Sequence, residues 1–221
     1  MGILLIKDLS YQYYNSNKTV LDNINIEFEV GKMYAIVGKS GSGKTTFLSL
    51  ISGLDICTKG SILYHNKDLK NINRDRYRAR NIGVVFQNYN LLQNATVIEN
   101  LVLSMNISGV SEENQTQILQ DVLKKVGIDS ETALKKVCKL SGGEQQRVGI
   151  ARAISHNPDI IIADEPTSNL DSETEESIME ILSSLVVNDN KCVIIVSHST
   201  KVASYANEVW GISNGRFLFI Q

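Results

Sequence analysis

A glycine-rich segment lies between two different secondary-structure patterns and limits the folds open to this chain. Residues 38–45 read GKSGSGKT, after an apolar run of strand type at 33–37 and before a helical pattern that begins at Thr45. Glycines let such a loop curl so that its N–H groups point inward, where the positive end of the helix dipole reinforces them. The alternative, an ordinary turn, needs neither the lysine nor the hydroxyl. We therefore predict an α/β fold with a phosphate-binding loop.

The side chains of this loop predict its ligand. Lys44 has the position that reaches the β- and γ-phosphates of a nucleoside triphosphate. Thr45 has the position whose hydroxyl ligates Mg²⁺, and Thr46 is expected near the α-phosphate. The pattern thus predicts ATP and Mg²⁺ as ligands. The residues expected to hold the nucleotide at this loop are Gly38, Lys39, Ser40, Gly41, Ser42, Gly43, Lys44, Thr45 and Thr46.

The composition argues against two classes of function. Hydrophobic residues make up 43% of the 221 positions, which is ample for a buried core. Twenty-two basic and 24 acidic residues leave a net charge of −2 without a basic run, so we expect no nucleic-acid partner. No apolar run approaches the roughly 18 residues of a membrane span. A role at a membrane would therefore require another chain to hold this one there.

The three cysteines predict reduced thiols rather than a metal site. Cys57, Cys138 and Cys192 lie far apart and lack the CxxC spacing of zinc or thioredoxin-type sites. We expect a cytosolic protein in which all three are small packing residues.

The N-terminal part of the chain predicts an antiparallel β layer. Polar and apolar residues alternate over 5–13 and again over 21–30, as in strands with one buried face. Two further short strands are expected at 60–64 and 82–86, separated by a charged stretch at 68–80.

Helical patterns interrupt the α/β chain after residue 86. Glu112–Val126 has early acids and late lysines, which is typical of a helix aligned with its own dipole. We predict a single domain over 1–221, with a core at 1–86 and 156–221 and a helical insert at 87–155. The other elements predicted for the core are a strand at 159–163, a helix at 173–187, a strand at 192–197, and a hairpin at 209–220 that turns at Asn214 and Gly215.

A second glycine-containing segment predicts another phosphate-binding helix start. Residues 140–147 read LSGGEQQR, in which Ser141 and Glu144 have the spacing of a capping box. A cap alone would not favour Gly142 and Gly143, because each glycine costs about 1 kcal/mol relative to alanine in a helix. Since the chain has one lysine-bearing phosphate loop, we expect these residues to complete a pocket on another molecule. The hypothesis is a head-to-tail dimer with two shared ATP sites, and the alternative is a plain helix cap.

Together these motifs resemble the nucleotide-binding cassettes of ABC transporters, in which LSGGEQQR corresponds to the signature sequence. The resemblance covers essentially the whole chain and keeps the family's motif order. It implies a P-loop NTPase (RecA-like) core with an N-terminal antiparallel β layer and an α-helical subdomain insert. The segment Ala79–Leu101 is similar to cassettes of the macrolide-exporter, lipoprotein-release and peptide-resistance type.

Further site residues follow from strand ends and from this resemblance. Asp164 ends a predicted buried strand at the sheet edge where α/β proteins bind ligands, so it is expected to hold Mg²⁺. The resemblance makes Glu165 the general base that polarises the attacking water. It implies that Gln87 senses the γ-phosphate or its Mg²⁺, as a metal contact, and that His198 is the switch histidine. Asp171 would lie in a loop that crosses the dimer interface, and it could also cap the following helix. Tyr13 would stack on adenine, and the alternative is a plain β-surface tyrosine.

Departures from the family pattern are few. Thr45 replaces the commoner serine and Glu144 the commoner glutamine, and both changes preserve the chemistry. Ser199 replaces an acid often found after the switch histidine, which removes one carboxylate near the expected dimer interface.

The expected function is that of an ATPase whose two copies close on two Mg·ATP molecules and drive membrane-spanning permease subunits. Such a chain would lie at the cytoplasmic face of the cell membrane. Export or extraction of a peptide, lipid-linked molecule or drug is the leading hypothesis, and import is the rival. A soluble P-loop ATPase or switch is a separate alternative. For partner contacts, Leu91, Leu92 and Val97 are candidates, with core packing as the favoured reading of each.

Overall fold

Ten strands and seven α-helices lie along residues 2–14 and 18–221, which this computed structural model describes. The strands are β1 (Gly2–Gln12), β2 (Thr19–Glu29), β3 (Met33–Val37), β4 (Lys59–Tyr64), β5 (Lys67–Asp68), β6 (Ile82–Val85), β7 (Ile160–Asp164), β8 (Cys192–Ser197), β9 (Glu208–Ser213) and β10 (Arg216–Phe219). The helices are α1 (Lys44–Ile51), α2 (Arg74–Asn81), α3 (Val97–Ser108), α4 (Glu112–Lys125), α5 (Ser130–Ala133), α6 (Gly142–Ile154) and α7 (Ser172–Val187).

The larger sheet is buried on both faces. Its strand order is β10-β9-β3-β8-β7-β6, and every pairing is parallel except that of the β9–β10 hairpin. Met33 and Ala35 of β3 belong to the core shared with α3, α6 and α7, whereas Tyr34 and Ile36 belong to the core shared with α1 and the smaller sheet. Since successive side chains point to opposite faces, the sheet lies between two layers. The strands predicted at 159–163 and 192–197 are confirmed.

The smaller sheet is the predicted antiparallel β layer. Its order is β2-β1-β4-β5, so the predicted strand at 60–64 joins this sheet, whereas the one at 82–86 joins the parallel sheet. The β1–β4 register shifts between Lys7 and Ser10, and Gly60 faces this irregularity with a φ of +77°.

Four helices, α3 to α6, lie between β6 and β7; capping boxes start two of them, and the Asp129 side chain caps α5. Thr96 and Glu99 form a capping box on α3, and Ser141 and Glu144 form the predicted one on α6. The predicted helix at Glu112–Val126 is confirmed as α4. The division into a core and an insert at 87–155 stays a prediction. Over residues 2–14 and 18–221, no helix has both the length and the apolar character that crossing a membrane requires.

Two features differ from the sequence-based expectations. The charged stretch at 68–80 contains α2, whose start is capped by the Asn73 side chain and which buries only Tyr77. Helix α2 lacks an apolar stripe, so hydrophobic periodicity could not predict it. The expectation that all three cysteines pack inside is wrong for Cys138, which is exposed, whereas Cys57 and Cys192 are buried.

Replacing Gly60 by alanine tests the fit of β4 against β1. The added Cβ would lie 2.3 Å and 2.4 Å from the backbone oxygens of Lys7 and Asp8, at a φ that side chains rarely adopt. We expect Gly60→Ala to lower the free energy of unfolding by about 2–4 kcal/mol, because backbone strain adds to a clash that only backbone movement relieves. Chemical denaturation followed by circular dichroism measures this loss.

The matched control for this test is Gly109→Ala. Gly109 ends α3 with a φ of +81°, but the nearest atom to its added Cβ is a side-chain nitrogen of Arg80 at 3.0 Å, which can move. Its cost should be about 1 kcal/mol. Equal losses for the two variants would contradict a backbone clash specific to Gly60.

Candidate functional site

The predicted phosphate-binding loop joins β3 to α1, and the Lys44 side chain folds back to bond with the loop's own carbonyls. The Lys44 ammonium donates to the Gly38 carbonyl at 2.7 Å and to the Lys39 carbonyl at 3.1 Å. Helix α1 begins after Gly43, in the left-handed region at φ +110°, without a side-chain cap. Among the described residues, no acceptor pairs with the N–H groups of Lys44, Thr45 or Thr46. The start of α1 therefore presents donors and a buried positive charge, which suits a phosphate group.

The loop's glycines and one serine fit a bound ligand. A Cβ at Gly38 would lie 2.6 Å from the Ile212 carbonyl oxygen, and one at Gly43 would lie 2.9 Å from the Leu21 side chain. Gly41 has a φ of +74° with no atom within 4 Å of an added Cβ. The Ser42 hydroxyl is buried without a hydrogen-bond partner in the described chain. The loop is thus packed closely on one side, open on the other, and carries an orphaned polar atom.

Two carboxylates follow each other at the end of β7. Burial raises the pKa of the Asp164 carboxyl, Glu165 raises it further, and Lys44 partly offsets both. Glu165 has a φ of +49°, and its N–H donates to the Val196 carbonyl at 2.9 Å. A glutamate held in the left-handed region stores strain, as functional sites often do.

Glu165 and His198 are brought together directly. His198 Nδ1 lies 2.9 Å from Glu165 Oε2, although 33 residues separate them. The Ser197 hydroxyl donates to the same oxygen at 3.2 Å, and the His198 N–H lies 3.3 Å away. The Glu165 side chain is 13% exposed and that of His198 is 64% exposed. One carboxylate oxygen is therefore held by several groups of the β8 end, a role that sequence reasoning did not give to Ser197.

Tyr13 reaches the phosphate-binding loop from the end of β1. Its hydroxyl lies 2.9 Å from Thr46 Oγ1, and its ring packs edge-to-face on Tyr11 with centroids 5.0 Å apart. Tyr13 is half-exposed, whereas Tyr14 is fully exposed. Of these tyrosines, only Tyr13 is described with a hydrogen bond to the loop. Stacking on adenine stays a prediction.

Gln87 and Asp171 have different surroundings. Gln87 is exposed and has no hydrogen bond to any described residue, but it follows β6, which pairs in parallel with β7. It therefore lies at the same sheet edge as Asp164.

Asp171 caps α7, because its carboxylate accepts from the Thr174 N–H and hydroxyl, each at 2.9 Å. The cap is confirmed, while an interface role stays a prediction.

The two glycines of the signature segment have neighbours within the chain. A Cβ at Gly143 would lie 2.7 Å from Thr174 Cγ2, and one at Gly142 would lie 3.1 Å from the Tyr89 hydroxyl. Packing on α7 thus gives Gly143 a structural reason that the sequence analysis missed. Hydrogen bonds from the Ser141 hydroxyl and N–H lower the pKa of the Glu144 carboxyl. Within the described chain, no hydrogen bond joins Ser141–Gly143 to the phosphate-binding loop.

A groove of about 470 Å³ opens beside the segment that follows β6. Phe86, Ile107 and Ala153 contribute apolar walls, and Arg152 and His156 contribute polar ones. Its lining residues come from α2, β6, α3 and α6 and from the segments that follow β6 and α6. The partner-contact candidates Leu91 and Val97 are buried in the core, as favoured, whereas Leu92 is 53% exposed.

Comparisons with known sequences and structures all find ABC transporter proteins. The ABC transporter family model matches residues 21–168. An uncharacterised ABC transporter ATP-binding protein, YclH of Bacillus subtilis, is 42% identical over 98% of this chain and 96% of its own length. The macrolide export ATP-binding/permease protein MacB of Mannheimia succiniciproducens is 38% identical over 99% of this chain, which corresponds to 34% of MacB.

A solved structure of MJ0796, described as a dimeric bacterial ABC transporter cassette, superposes with a TM-score of 0.87. It is 33% identical and each chain is covered to 99%. A second structure of that protein is a dimeric post-hydrolysis state bound to ADP and Pi. These matches confirm the resemblance found in the sequence and the P-loop NTPase fold with its β layer and helices. This chain belongs to the ABC transporter family, as an ATP-binding cassette that hydrolyses ATP.

Proposed function

We propose that two copies of this chain bind head to tail around two ATP molecules, so that each site combines the phosphate-binding loop of one copy with Ser141–Gly143 of the other. The observation that carries this proposal is the separation of the two motifs. Within one described chain no hydrogen bond joins them, although both begin a helix with donors available for phosphate. The related cassette MJ0796 was solved as a dimer, which supports a dimer of this chain.

In this site Glu165 acts as the general base on the attacking water. Its Oε2 is held by the Ser197 hydroxyl and by His198, which supports a fixed carboxylate rather than a freely rotating one. Lys44 and the N–H groups of the loop stabilise charge on the phosphates, and Ser141 and Gly143 of the partner copy add to them. His198 reaches the γ-phosphate, and Asp171 meets the partner copy. Tyr13 stacks on adenine, and Gly38 to Thr46 hold the phosphates.

Mg²⁺ fits the residues at the end of β7. Burial and Glu165 disfavour the charge of Asp164 more than Lys44 favours it, so a cation nearby would relieve the imbalance. Asp164 and the Thr45 hydroxyl would hold the ion, with Gln87 at the same sheet edge. Mg²⁺ is usually bound by one or two protein ligands, and substrate phosphates and water complete its shell. The bound ion would neutralise charge on the β- and γ-phosphates.

The partner that turns hydrolysis into transport is a membrane permease seated in the groove beside Phe86. The apolar walls and the polar groups of Arg152 and His156 suit a short amphipathic helix of the permease. MacB supports this, because its name joins ATP-binding and permease functions in one longer chain. The protein would then work at the cytoplasmic face of the cell membrane, in export or extraction of a peptide, lipid-linked molecule or drug. A binding-protein gene in an adjacent reading frame would favour import instead.

Glu165→Gln tests the catalytic assignment. The amide cannot accept the proton of the attacking water, so we expect ATP hydrolysis to fall by about 100-fold or more while ATP binding persists. Light scattering should then detect an ATP-dependent dimer that wild type forms only transiently. The control is Glu180→Gln, an exposed position of α7. A monomer in saturating ATP, or undiminished hydrolysis, would argue for a cassette that works alone.

Ile107→Glu tests the permease groove. Ile107 is 67% exposed and lines the groove, so a charge there should oppose docking of an apolar helix face. We expect tagged wild-type protein to retain an integral-membrane subunit during purification from native membranes, and the variant to lose it. Leu103→Glu, on the same helix at 45% exposure and outside the groove lining, is the control. Equal retention by both variants would rule out this surface, and thermal melting checks that both are folded.

A further inference from the structure

The segment that carries Gln87 is held by α6 rather than by the strand it follows. After β6 ends at Val85, Tyr89 and Asn90 both have left-handed backbone, at φ +60° and +50°. Two successive non-glycine residues in this region are strained and need external support. Arg152 of α6 supplies it, because its guanidinium donates to the Tyr89 carbonyl at 3.0 Å and to the Asn90 carbonyl.

Arg152 also holds the segment through its ring contact. Its guanidinium carbon lies 6.0 Å from the centroid of the Phe86 ring, so contacts on both sides of Gln87 belong to one α6 side chain. Burial lowers the pKa of Arg152, but arginine stays charged in proteins, so these contacts compensate a cation that is largely removed from water. The segment 86–90 is therefore attached to α6 at both of its ends.

Tyr89 extends this attachment to the start of the same helix. Its carbonyl oxygen lies 4.0 Å from the Cβ position of Gly149, and its hydroxyl lies 3.1 Å from the Cβ position of Gly142. These glycines are seven residues apart, about two helical turns, and so share one face of α6. The Tyr89 residue therefore extends along this face of α6. Its carbonyl lies near Gly149 and bonds to Arg152, and its hydroxyl lies near Gly142 of the signature segment. Its hydroxyl has no described hydrogen bond, so the contact is steric.

We propose that Tyr89 is a positioning residue that fixes Gln87 relative to the signature segment. This inference rests on the proposed dimer, in which Gln87 faces the nucleotide of its own loop and Ser141–Gly143 face the nucleotide of the partner copy. A displacement of Gln87 would then be passed to the signature segment, because Arg152 of α6 holds the Tyr89 and Asn90 carbonyls and the Tyr89 hydroxyl lies 3.1 Å from the Cβ position of Gly142. Tyr89 thereby links the two sites of the dimer through one side chain.

The test compares Tyr89→Ala with Tyr89→Phe in the purified full chain. Loss of the ring should lower kcat for ATP hydrolysis by about tenfold, as expected for a misplaced site, while the KM for ATP changes little because the phosphate-binding loop is untouched. Phenylalanine keeps the ring and should restore most of the rate. The control in the same segment is Asn88→Ala, an exposed side chain with no described contact. If Tyr89 only stabilised the fold, Tyr89→Ala would lower the melting temperature but would not lower kcat selectively over KM.

A second pair of variants keeps the proposal falsifiable if Tyr89→Ala fails to fold. Gly142→Ala brings a methyl group against the Tyr89 hydroxyl, and Tyr89→Phe removes that oxygen. We expect the loss of rate in Gly142→Ala to be partly recovered in the double variant. Additive effects, an unchanged kcat in Tyr89→Ala, or equal losses in Tyr89→Ala and Tyr89→Phe would overturn the proposal.

ATP-dependent dimerisation in the Glu165→Gln background separates this inference from the proposed function. Tyr89→Ala should raise the protein concentration needed for half-maximal dimerisation in saturating ATP. If Glu165→Gln alone forms no dimer, the proposed function fails and this inference fails with it. If Glu165→Gln dimerises and the added Tyr89→Ala leaves this protein concentration unchanged, only the role of Tyr89 is refuted.

Discussion

The register of the parallel sheet is the constraint on which the whole site depends. Val37 of β3 pairs with Ser197 of β8, and Asp164 of β7 pairs with Val196, so three strands end at one level. The phosphate-binding loop, His198 and Glu165 each follow one of those ends. Because side chains alternate along a strand, a slip by one residue would turn every buried side chain to the wrong core. Burial on both faces therefore fixes the register, and the register brings distant residues within hydrogen-bond distance.

The same sheet edge carries several features that cost stability. Burial disfavours the charged form of Asp164, Glu165 has left-handed backbone, and the Ser42 hydroxyl is buried without a described partner. Such features persist when the surrounding fold over-determines them, and ligand binding can offset them. The two hydrophobic cores on either side of the sheet supply the stability that offsets these features. We interpret the edge as a site prepared for an anionic ligand and its cation.

Local sequence signals predicted much of this, and contacts between distant elements account for the rest. The strand–loop–helix motif, the capping box at Ser141 and the turn at Asn214–Gly215 depend on neighbouring residues, so spacing and glycine chemistry suffice to predict them. Gly143 packs on Thr174, and Arg152 bonds to the Tyr89 carbonyl, across 30 or more positions of the sequence. Hydrophobic periodicity does not reveal contacts between such distant residues. Helix α2 shows a third case, because it forms without an apolar stripe.

The central claim is that neither copy of the chain has a complete hydrolytic site. Mixing two inactive variants tests it most directly: Lys44→Ala removes the loop's charge, and Ser141→Arg blocks the signature segment. In a mixed dimer both lesions fall in one site, which leaves the other with an intact loop from one copy and an intact signature from its partner. A site shared between two copies predicts ATP hydrolysis in the mixture well above the sum of the separate variants. Hydrolysis that equals that sum, or full activity of Ser141→Arg alone, would contradict it.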